Sequence, residues 1–321
     1  LLELNARYDG SSKFPTQEQW GFFPSASVGY RISNEKFMES TRGWLNELKL
    51  RASVGSIGNQ NIANNAFLPV MTGSNPFWLG SGATVPPSVS LPSNVDANLT
   101  WEKVTTQDIG LDLRIFNMLG MTFDYYQRDT QGVLSPGKTL PGSFGQNAAN
   151  TNSGNFRTKG WELGINFNKD ITKNVSVYTD LTLSDYTSEV TEWNNSSKLL
   201  GSFYAGQKIG EIWGLTTERL IQSTDVVDAT GLIVNGVDFK DVRSGAFKYG
   251  PGDVLYKDLN GDGKITRGKG TADDAGDLSV IGNTTPRYQY GIRLGGNFYG
   301  LDIDAFFQGV GKSQYWATSD L

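Results

Sequence analysis

Apolar and polar residues alternate along this chain, most clearly from Trp161 to Asn168, where Trp161, Leu163, Ile165 and Phe167 occupy every second position. Successive side chains of a β-strand point to opposite faces, so this pattern predicts a strand with one apolar and one polar face. The same kind of pattern predicts strands in nine segments: Leu2 to Tyr8, 23–32, 48–54, 105–116, 121–127, 161–168, 175–184, 287–294 and 301–307. The predicted fold class is therefore all-β.

The lengths of the strands and of their connections narrow this fold class. Ordinary strands have about 5–6 residues, whereas a tilted strand that crosses a membrane needs about 9–11. Short turns at 117–120, 169–174 and 295–300 alternate with long loops at about 56–98, 134–156 and 188–285. This asymmetry is typical of antiparallel transmembrane β-barrels, which have short periplasmic turns and long extracellular loops. A soluble β-sandwich or propeller with insertions is the alternative.

The polar faces and the strand ends bear on this choice. Charges of both signs stand in mid-strand, for example Arg51, Asp124 and Arg293. A water-filled lumen accepts such charges, and so does the outside of a sandwich. Aromatic residues near strand ends predict the girdles of a membrane barrel, although they could also be edge residues of a soluble core. These residues are Tyr8, Trp20, Trp44, Trp101, Tyr125 and Trp161.

The composition excludes several classes of function. The 321 residues include no histidine and no cysteine, which removes Ser-His-Asp catalysis, thiolate chemistry and disulfides. The net charge of −5, without a basic run, offers no surface to nucleic acid. The carboxylate pairs Asp302/Asp304 and Asp273/Asp274 lack a context specific to glycoside hydrolysis, so we do not expect an enzyme. The sequence has no run of 18 apolar residues, so it does not predict a transmembrane helix.

One segment carries a sharper chemical signal. Asp258 to Thr266 fits the start of an EF-hand-type calcium loop, D-x-[DN]-x-[DN]-G. Calcium is a hard cation that takes oxygen ligands from a tight turn. Asp258, Asn260 and Asp262 would supply side-chain oxygens, and Lys264 would supply its carbonyl oxygen. A turn with solvated carboxylates is the alternative, and without flanking helices no calcium-sensor mechanism follows.

The closing ligand of this loop is less clear. The twelfth position is Lys269, where the pattern requires Glu. An acid could still come from Asp273, Asp274 or Asp277 if residues 268–276 loop out. The sequence therefore predicts a structural Ca²⁺ site whose closure depends on this excursion.

Several segments, spread from about residue 20 to 310, match the characteristic segments of one family in the same order. They are Leu48 to Gly55 followed by Gly58-Asn59-Gln60, Trp101-Glu102-Lys103 followed by Asp108 to Asp112, and 123–126, 155–162, 253–266, 277–283 and 285–288. Together they resemble the SusC/RagA family of TonB-dependent outer-membrane transporters of the Bacteroidetes. In that family the acid that closes the acidic loop directly precedes the Ile-Gly-Asn segment, the place that Asp277 holds here after an insertion.

The resemblance implies a large barrel of 22 strands that is closed by an N-terminal plug. Residues 1–321 would form the C-terminal part of that barrel and supply about ten strands, and the plug would be absent from this chain. The chain opens in mid-strand at Leu1 without a start Met, so we expect a fragment. The resemblance also implies residence in the bacterial outer membrane, in contact with its lipid.

The function implied by the resemblance is import powered through TonB, which would contact the missing N-terminal part. A SusD-like surface lipoprotein would act as a lid, and the cargo would be an oligosaccharide or a peptide. Four loop aromatics, Phe77, Trp78, Tyr204 and Trp213, could stack on sugar rings. The rival hypothesis is a secreted or surface-attached all-β glycan-binding module that calcium stabilises.

Overall fold

The computed structural model describes residues 1–74 and 88–316, and its main element is one antiparallel sheet of nine strands. The strands are β1 (Leu2–Gly10), β2 (Trp20–Arg31), β3 (Leu45–Asn59), β4 (Glu102–Ile115), β5 (Leu119–Pro136), β6 (Asn150–Thr172), β7 (Val175–Glu192), β8 (Arg287–Phe298) and β9 (Leu301–Lys312). Each strand pairs with the next one along the chain, so the sheet is a simple meander. The prediction of an all-β fold is confirmed.

All nine predicted strands are present, and most are longer than the alternating segments indicated. The predicted strand 161–168 lies inside β6, which has 23 residues. Consequently each long connection begins later than expected, and the second also ends earlier. They cover 60–101, 137–149 and 193–286, in place of 56–98, 134–156 and 188–285.

The apolar side chains form continuous rows across the sheet on one face. Directly paired residues carry each row from strand to strand, because the register keeps like positions opposite one another. One row consists of Leu48, Leu113, Met121, Ile165, Leu181, Ile292 and Phe307. The next consists of Tyr30, Leu50, Leu111, Phe123, Leu163, Leu183 and Tyr290.

These rows lie on the surface of the sheet. Leu181 is 36% exposed, Leu50 45% and Phe307 57%, although all three are large and apolar. Exposed apolar patches of this extent mark an interaction surface, because isolated soluble proteins rarely tolerate them. The sheet therefore has one face that requires an apolar partner.

A buried apolar core lies outside the sheet, in the connection between β7 and β8. We define residues 216–277 as the loop module. Its core contains Ile221, Val234, Phe239, Tyr249, Leu255 and Ile265, all buried. From the sequence, 188–285 was expected to be a long loop, and this core was not predicted. The module is instead a small folded unit on the rim of the sheet.

No helix within the described ranges, 1–74 and 88–316, is long and apolar enough to cross a bilayer. The helical segments there are short 3₁₀ turns, such as Ile32–Asn34 and Lys36–Thr41 between β2 and β3.

Candidate functional site

Charged groups on the polar face of the sheet form a network centred on Arg51. The Nε of Arg51 donates to Asp112 at 2.9 Å, and its Nη2 lies 2.8 Å from a carboxylate oxygen of Asp124. Lys49 lies 3.6 Å from Asp112. The network spans three neighbouring strands, β3, β4 and β5, and half-buries the side chains that it joins.

A glycine makes the crossing from β3 to β5 possible. Gly110 on β4 is the direct partner of both Arg51 and Asp124. A Cβ at this position would collide with Asp124 and would lie 2.6 Å from Nη2 of Arg51. Glycine within a strand often marks such a close approach. Glycine in the middle of a charged face is the sequence signal that could have revealed this network.

Replacing Gly110 with Val is expected to destabilise the sheet by about 1–3 kcal/mol, because the new side chain overpacks the site and separates Arg51 from Asp124. Gly164→Val is the matched control, since a Cβ at Gly164 meets no atom within 4 Å. Urea titration of the two variants in detergent would measure the difference. A similar loss of stability in both variants would contradict this assignment.

A second polar cluster joins β7, β8 and β9. Asp304 accepts hydrogen bonds from Nε of Arg293, at 2.8 Å, and from the hydroxyl of Tyr178. Gly295 lies between Tyr178 and Asp304 in the register and leaves room for the tyrosine ring. Asp304 is thus held by an arginine and a phenol, and these bonds join the three strands.

The acidic loop predicted to bind calcium is held by bonds to its own backbone. The carboxylate of Asp258 accepts from the N–H groups of Gly261 and Gly263, at 2.7 and 2.8 Å. Asn260 accepts from the N–H of Asp262, and Asp262 accepts from the N–H of Lys264. The three side chains at alternate positions therefore fold back over one tight turn.

The apolar anchor of this loop connects it to the core of the loop module. Ile265 is fully buried, and its N–H donates to the carbonyl oxygen of Asp238 at 2.7 Å. The N–H of Asp238 donates to the carbonyl oxygen of Gly263. The carbonyl oxygen of Lys264 lies between these two bonds and takes part in neither of them.

Asp277 reaches the loop because the insertion before it folds away. The backbones of Gly268 and Gly276 lie so close that a Cβ on Gly276 would be 2.5 Å from the nitrogen of Gly268. Asp277 is fully buried and accepts from the N–H groups of Leu259 and Thr266, at 2.7 and 2.8 Å. Its carboxylate thus joins the two ends of the loop.

The donor set of this loop suits a hard cation. It consists of carboxylate, amide and carbonyl oxygens, which Ca²⁺ prefers. A carboxylate has about four lone-pair sites, so it can accept a backbone N–H and bind a metal ion together. In the described part of the chain, no three acidic side chains gather as one metal cluster. Metal binding at Asp258, Asn260, Asp262, Lys264 and Asp277 therefore stays a prediction.

Elsewhere in the loop module, two aspartates are held by dense hydrogen bonding. Asp225 accepts from both guanidinium nitrogens of Arg219, from Asn235 and from the N–H of Gln222. These bonds, led by those from Arg219, hold the pKa of Asp225 well below its usual range. Asp228 accepts from the hydroxyl of Thr230 and from two backbone N–H groups, which likewise lowers its pKa.

Acid is therefore expected to loosen the loop module. A carboxyl group whose pKa is lower in the folded state stabilises that state above its unfolded pKa, near 3.9 for Asp, and this contribution is lost as the pH falls further. The protection of residues 216–277 against hydrogen exchange, corrected for the intrinsic pH dependence of exchange, should fall below about pH 4. In the Asp225→Asn variant, the amide hydrogens of residues 216–277 should be less protected at neutral pH. Their protection should also depend less on acid. Equal acid dependence in the variant and the parent would refute the role of Asp225.

The aromatic residues singled out from the sequence have different environments. Tyr204, expected to be exposed, is buried and donates to Glu211, and burial with this contact raises its pKa to about 12. Stacking of Tyr204 on a sugar ring is therefore wrong. Trp101 packs against Phe14 and Phe23, with ring centroids 5.1 and 5.5 Å away, and Tyr8 and Trp20 stack at 5.1 Å. Phe77 and Trp78 lie outside the described residues.

Comparison with known proteins identifies the family. The sequence model described as TonB dependent receptor-like, beta-barrel, matches residues 1–320. TonB-dependent receptor P26 of Formosa agariphila is 31% identical over 323 residues, which cover 97% of this chain and 30% of that protein. TonB-dependent receptor SusC of Bacteroides thetaiotaomicron is 31% identical over 211 residues, which cover 65% of this chain and 21% of that protein.

Solved structures show the same fold. The RagAB peptide transporter superimposes with a TM-score of 0.71 at 22% identity, over 96% of this chain and 30% of the transporter chain. The closed-closed state of the RagAB peptide importer superimposes with a TM-score of 0.68 at 21% identity, over 96% and 31% of the two chains. This chain thus spans about a third of such proteins, and it belongs to the TonB-dependent receptor-like β-barrel family of the bacterial outer membrane.

Proposed function

We propose that this chain is part of the barrel of a TonB-dependent importer that moves large nutrients, oligosaccharides or peptides, across the outer membrane. One observation carries the proposal: the sheet has a continuous, exposed apolar face and an opposite face held together by ion pairs. An apolar outer surface and a polar interior are what a barrel in lipid requires.

The connections give the proposed barrel its orientation. The turns 116–118, 173–174 and 299–300 lie at one end of the sheet, and the connections 60–101 and 193–286 lie at the other. Short turns face the periplasm in such barrels and long loops face outward. The loop module therefore belongs to the extracellular side, where cargo enters and a SusD-like surface lipoprotein would dock as a lid.

Loss of uptake in a deletion strain would test this function. Cells that lack the full-length gene should fail to grow on the cargo, and the complete gene should restore growth. Restoration should need TonB, and a copy without its TonB-contacting segment should give none. Growth on every candidate oligosaccharide and peptide without the gene would contradict import. Full solubility of the complete protein without detergent would instead favour the rival, a secreted or surface-attached glycan-binding module.

We also propose that the acidic loop binds Ca²⁺ as a structural ion. Asp258, Asn260 and Asp262 would contribute side-chain oxygens, Lys264 its carbonyl, and Asp277 would close the loop. The observation in favour is that the insertion 268–276 folds away and lets Asp277 contact both ends of the loop. The ion would stiffen the segment that leads from the loop module into β8.

Calcium titration of the chelated full-length protein would test this second proposal. At a free Ca²⁺ concentration of 100 times the dissociation constant, binding should stabilise the loop module by about 2.7 kcal/mol. Its hydrogen exchange should slow accordingly. Asp258→Ala should abolish this effect. Asp273→Ala should keep it, because Asp273 lies in the insertion and pairs with Lys198. An unchanged calcium response in Asp258→Ala would contradict the site.

A further inference from the structure

Two of the short turns carry a large aromatic residue in the left-handed region of backbone conformation. Phe116 has a φ of +51°, and Tyr299 has a φ of +54°. This region crowds the Cβ of an L-residue against the backbone, so bulky residues are rare there. Turns with positive φ favour Asn and Gly, which here occupy only the following positions, as Asn117 and Gly300. The strained aromatic residues therefore point to a compensating interaction.

The chain fixes the backbone of these turns but leaves their side chains largely uncovered. The N–H of Phe116 donates to the carbonyl oxygen of Trp44 at 2.7 Å, and the N–H of Tyr299 donates to that of Asn174 at 2.8 Å. Phe116 is nevertheless 57% exposed and Tyr299 79% exposed. Contacts within the described part of the chain thus cover less than half of either residue. The compensating interaction lies in the surroundings of the turns.

The apolar face of the sheet continues to the turns without a polar border. Ile115 and Leu119 are the last paired residues of β4 and β5, and both lie on the side of the apolar rows. Phe298 and Leu301 are the last pair of β8 and β9 on the same side, and they are 41% and 62% exposed. The aromatic tips therefore extend a surface that already requires an apolar partner.

The apolar stretch on β4 and β5 is too short to cross the bilayer unless the turn is included. It covers residues 109–115 and 119–125, which is seven residues on each strand. A tilted strand needs about 9–11 residues to cross. At the extracellular end the paired Gln107 and Gln127 follow on the same face, whereas at the turn Phe116 continues the apolar surface. The bilayer boundary therefore falls at the turn.

We propose that Phe116 and Tyr299 anchor the barrel in the boundary between the headgroups and the acyl chains of the periplasmic leaflet. Aromatic side chains are enriched at this boundary. Their transfer out of water would offset the cost of the left-handed backbone. The two turns would thus fix the depth of the barrel in the outer membrane. The inference rests on the barrel and on its proposed orientation, and it does not depend on import.

Fluorescence quenching at the turns would test this placement. The full-length protein without other cysteines is labelled with a fluorophore at a cysteine that replaces residue 116, 299, 144 or 181, and it is reconstituted in pure phospholipid vesicles. Labels at 116 and 299 should be quenched more by bromines near the ester end of the acyl chains than by bromines near the methyl end. The label at 181 should show the reverse order. Phe144, 53% exposed in a long connection, gives the control position, which neither lipid should quench.

The outcomes separate the anchor from the barrel. Quenching at 181 without quenching at 116 and 299 would overturn the anchor and leave the barrel intact. Absence of quenching at 181 as well would overturn both. Because the two leaflets of these vesicles are alike and no periplasmic protein is present, neither orientation nor import affects the result.

Variants test whether the aromatic side chains themselves matter. Phe116→Gln with Tyr299→Gln should lower the equilibrium constant for folding into vesicles at least about tenfold, because two rings lose their transfer from water. Phe116→Trp with Tyr299→Trp keeps the rings at a similar backbone cost and should stay close to the parent. Phe144→Gln is the control and should change little. Equal folding constants for the Gln and Trp variants would overturn the proposal.

Discussion

Leu181→Arg is expected to destabilise the complete protein in a bilayer by about 2–4 kcal/mol, the cost of an arginine on the lipid face near the membrane midplane. Leu181 belongs to a row of apolar residues that crosses the sheet from β3 to β9, between Ile165 and Ile292. On this row the side chain has no protein layer above it and would contact acyl chains. Folding into lipid vesicles under urea would measure the loss.

Thr182→Arg is the matched control for this prediction. Thr182 is the next residue of β7, it is exposed like Leu181, and it points to the polar face, where Gly291 is its partner. A barrel lumen tolerates a new charge, so Thr182→Arg should change stability by much less. If both arginines cost the same, or if Thr182→Arg costs more, the apolar face does not contact lipid.

Asp277→Ala is expected to unfold the acidic loop. The buried carboxylate accepts two backbone N–H groups, and its removal leaves both part-buried donors without this partner. Each such donor costs about 1–3 kcal/mol. The loop also carries the buried anchor Ile265, so the core of the loop module should loosen together with it. Limited proteolysis within 216–277 would detect the change.

Two further variants separate the causes. Asp277→Asn keeps one acceptor oxygen but places an amide N–H₂ near a backbone donor, so it should be intermediate. Asp274→Ala removes a half-exposed side chain of the insertion. It should leave the proteolysis rate near that of the parent. Rapid cleavage of Asp274→Ala, or resistance of Asp277→Ala, would show that Asp277 does not close the loop.

The strands of this fold could be predicted because their pattern is local. Trp161 and every second residue after it specify one face of the strand. The register then places Trp161 beside Tyr125 and Leu163 beside Phe123. A shift by one residue would place every apolar side chain on the charged face, so the pattern itself enforces the pairing. The strand ends were underestimated because β6 and β7 continue as polar strands beyond the apolar rows.

The features that escaped prediction depend on contacts between distant residues. The core of the loop module joins Ile221 to Phe239 and Ile265 through short, irregular segments without a regular period. Asp185 and Arg287 are 102 residues apart in sequence, and only the pairing of β7 with β8 brings them together. The acidic loop was predictable as a motif, but the position of Asp277 depends on how the insertion folds.

The most direct measurement of the central claim is quenching by lipid along β7. A single cysteine is introduced at each of the positions 180–184 in a full-length protein that otherwise contains no cysteine, and it is labelled with a fluorophore. The fluorescence is then measured in vesicles with brominated acyl chains. We expect strong quenching at Leu181 and Leu183 and little at Asp180, Thr182 and Ser184. Equal quenching at all positions, or none at Leu181 and Leu183, would contradict a barrel stave with lipid on one face and a polar lumen on the other.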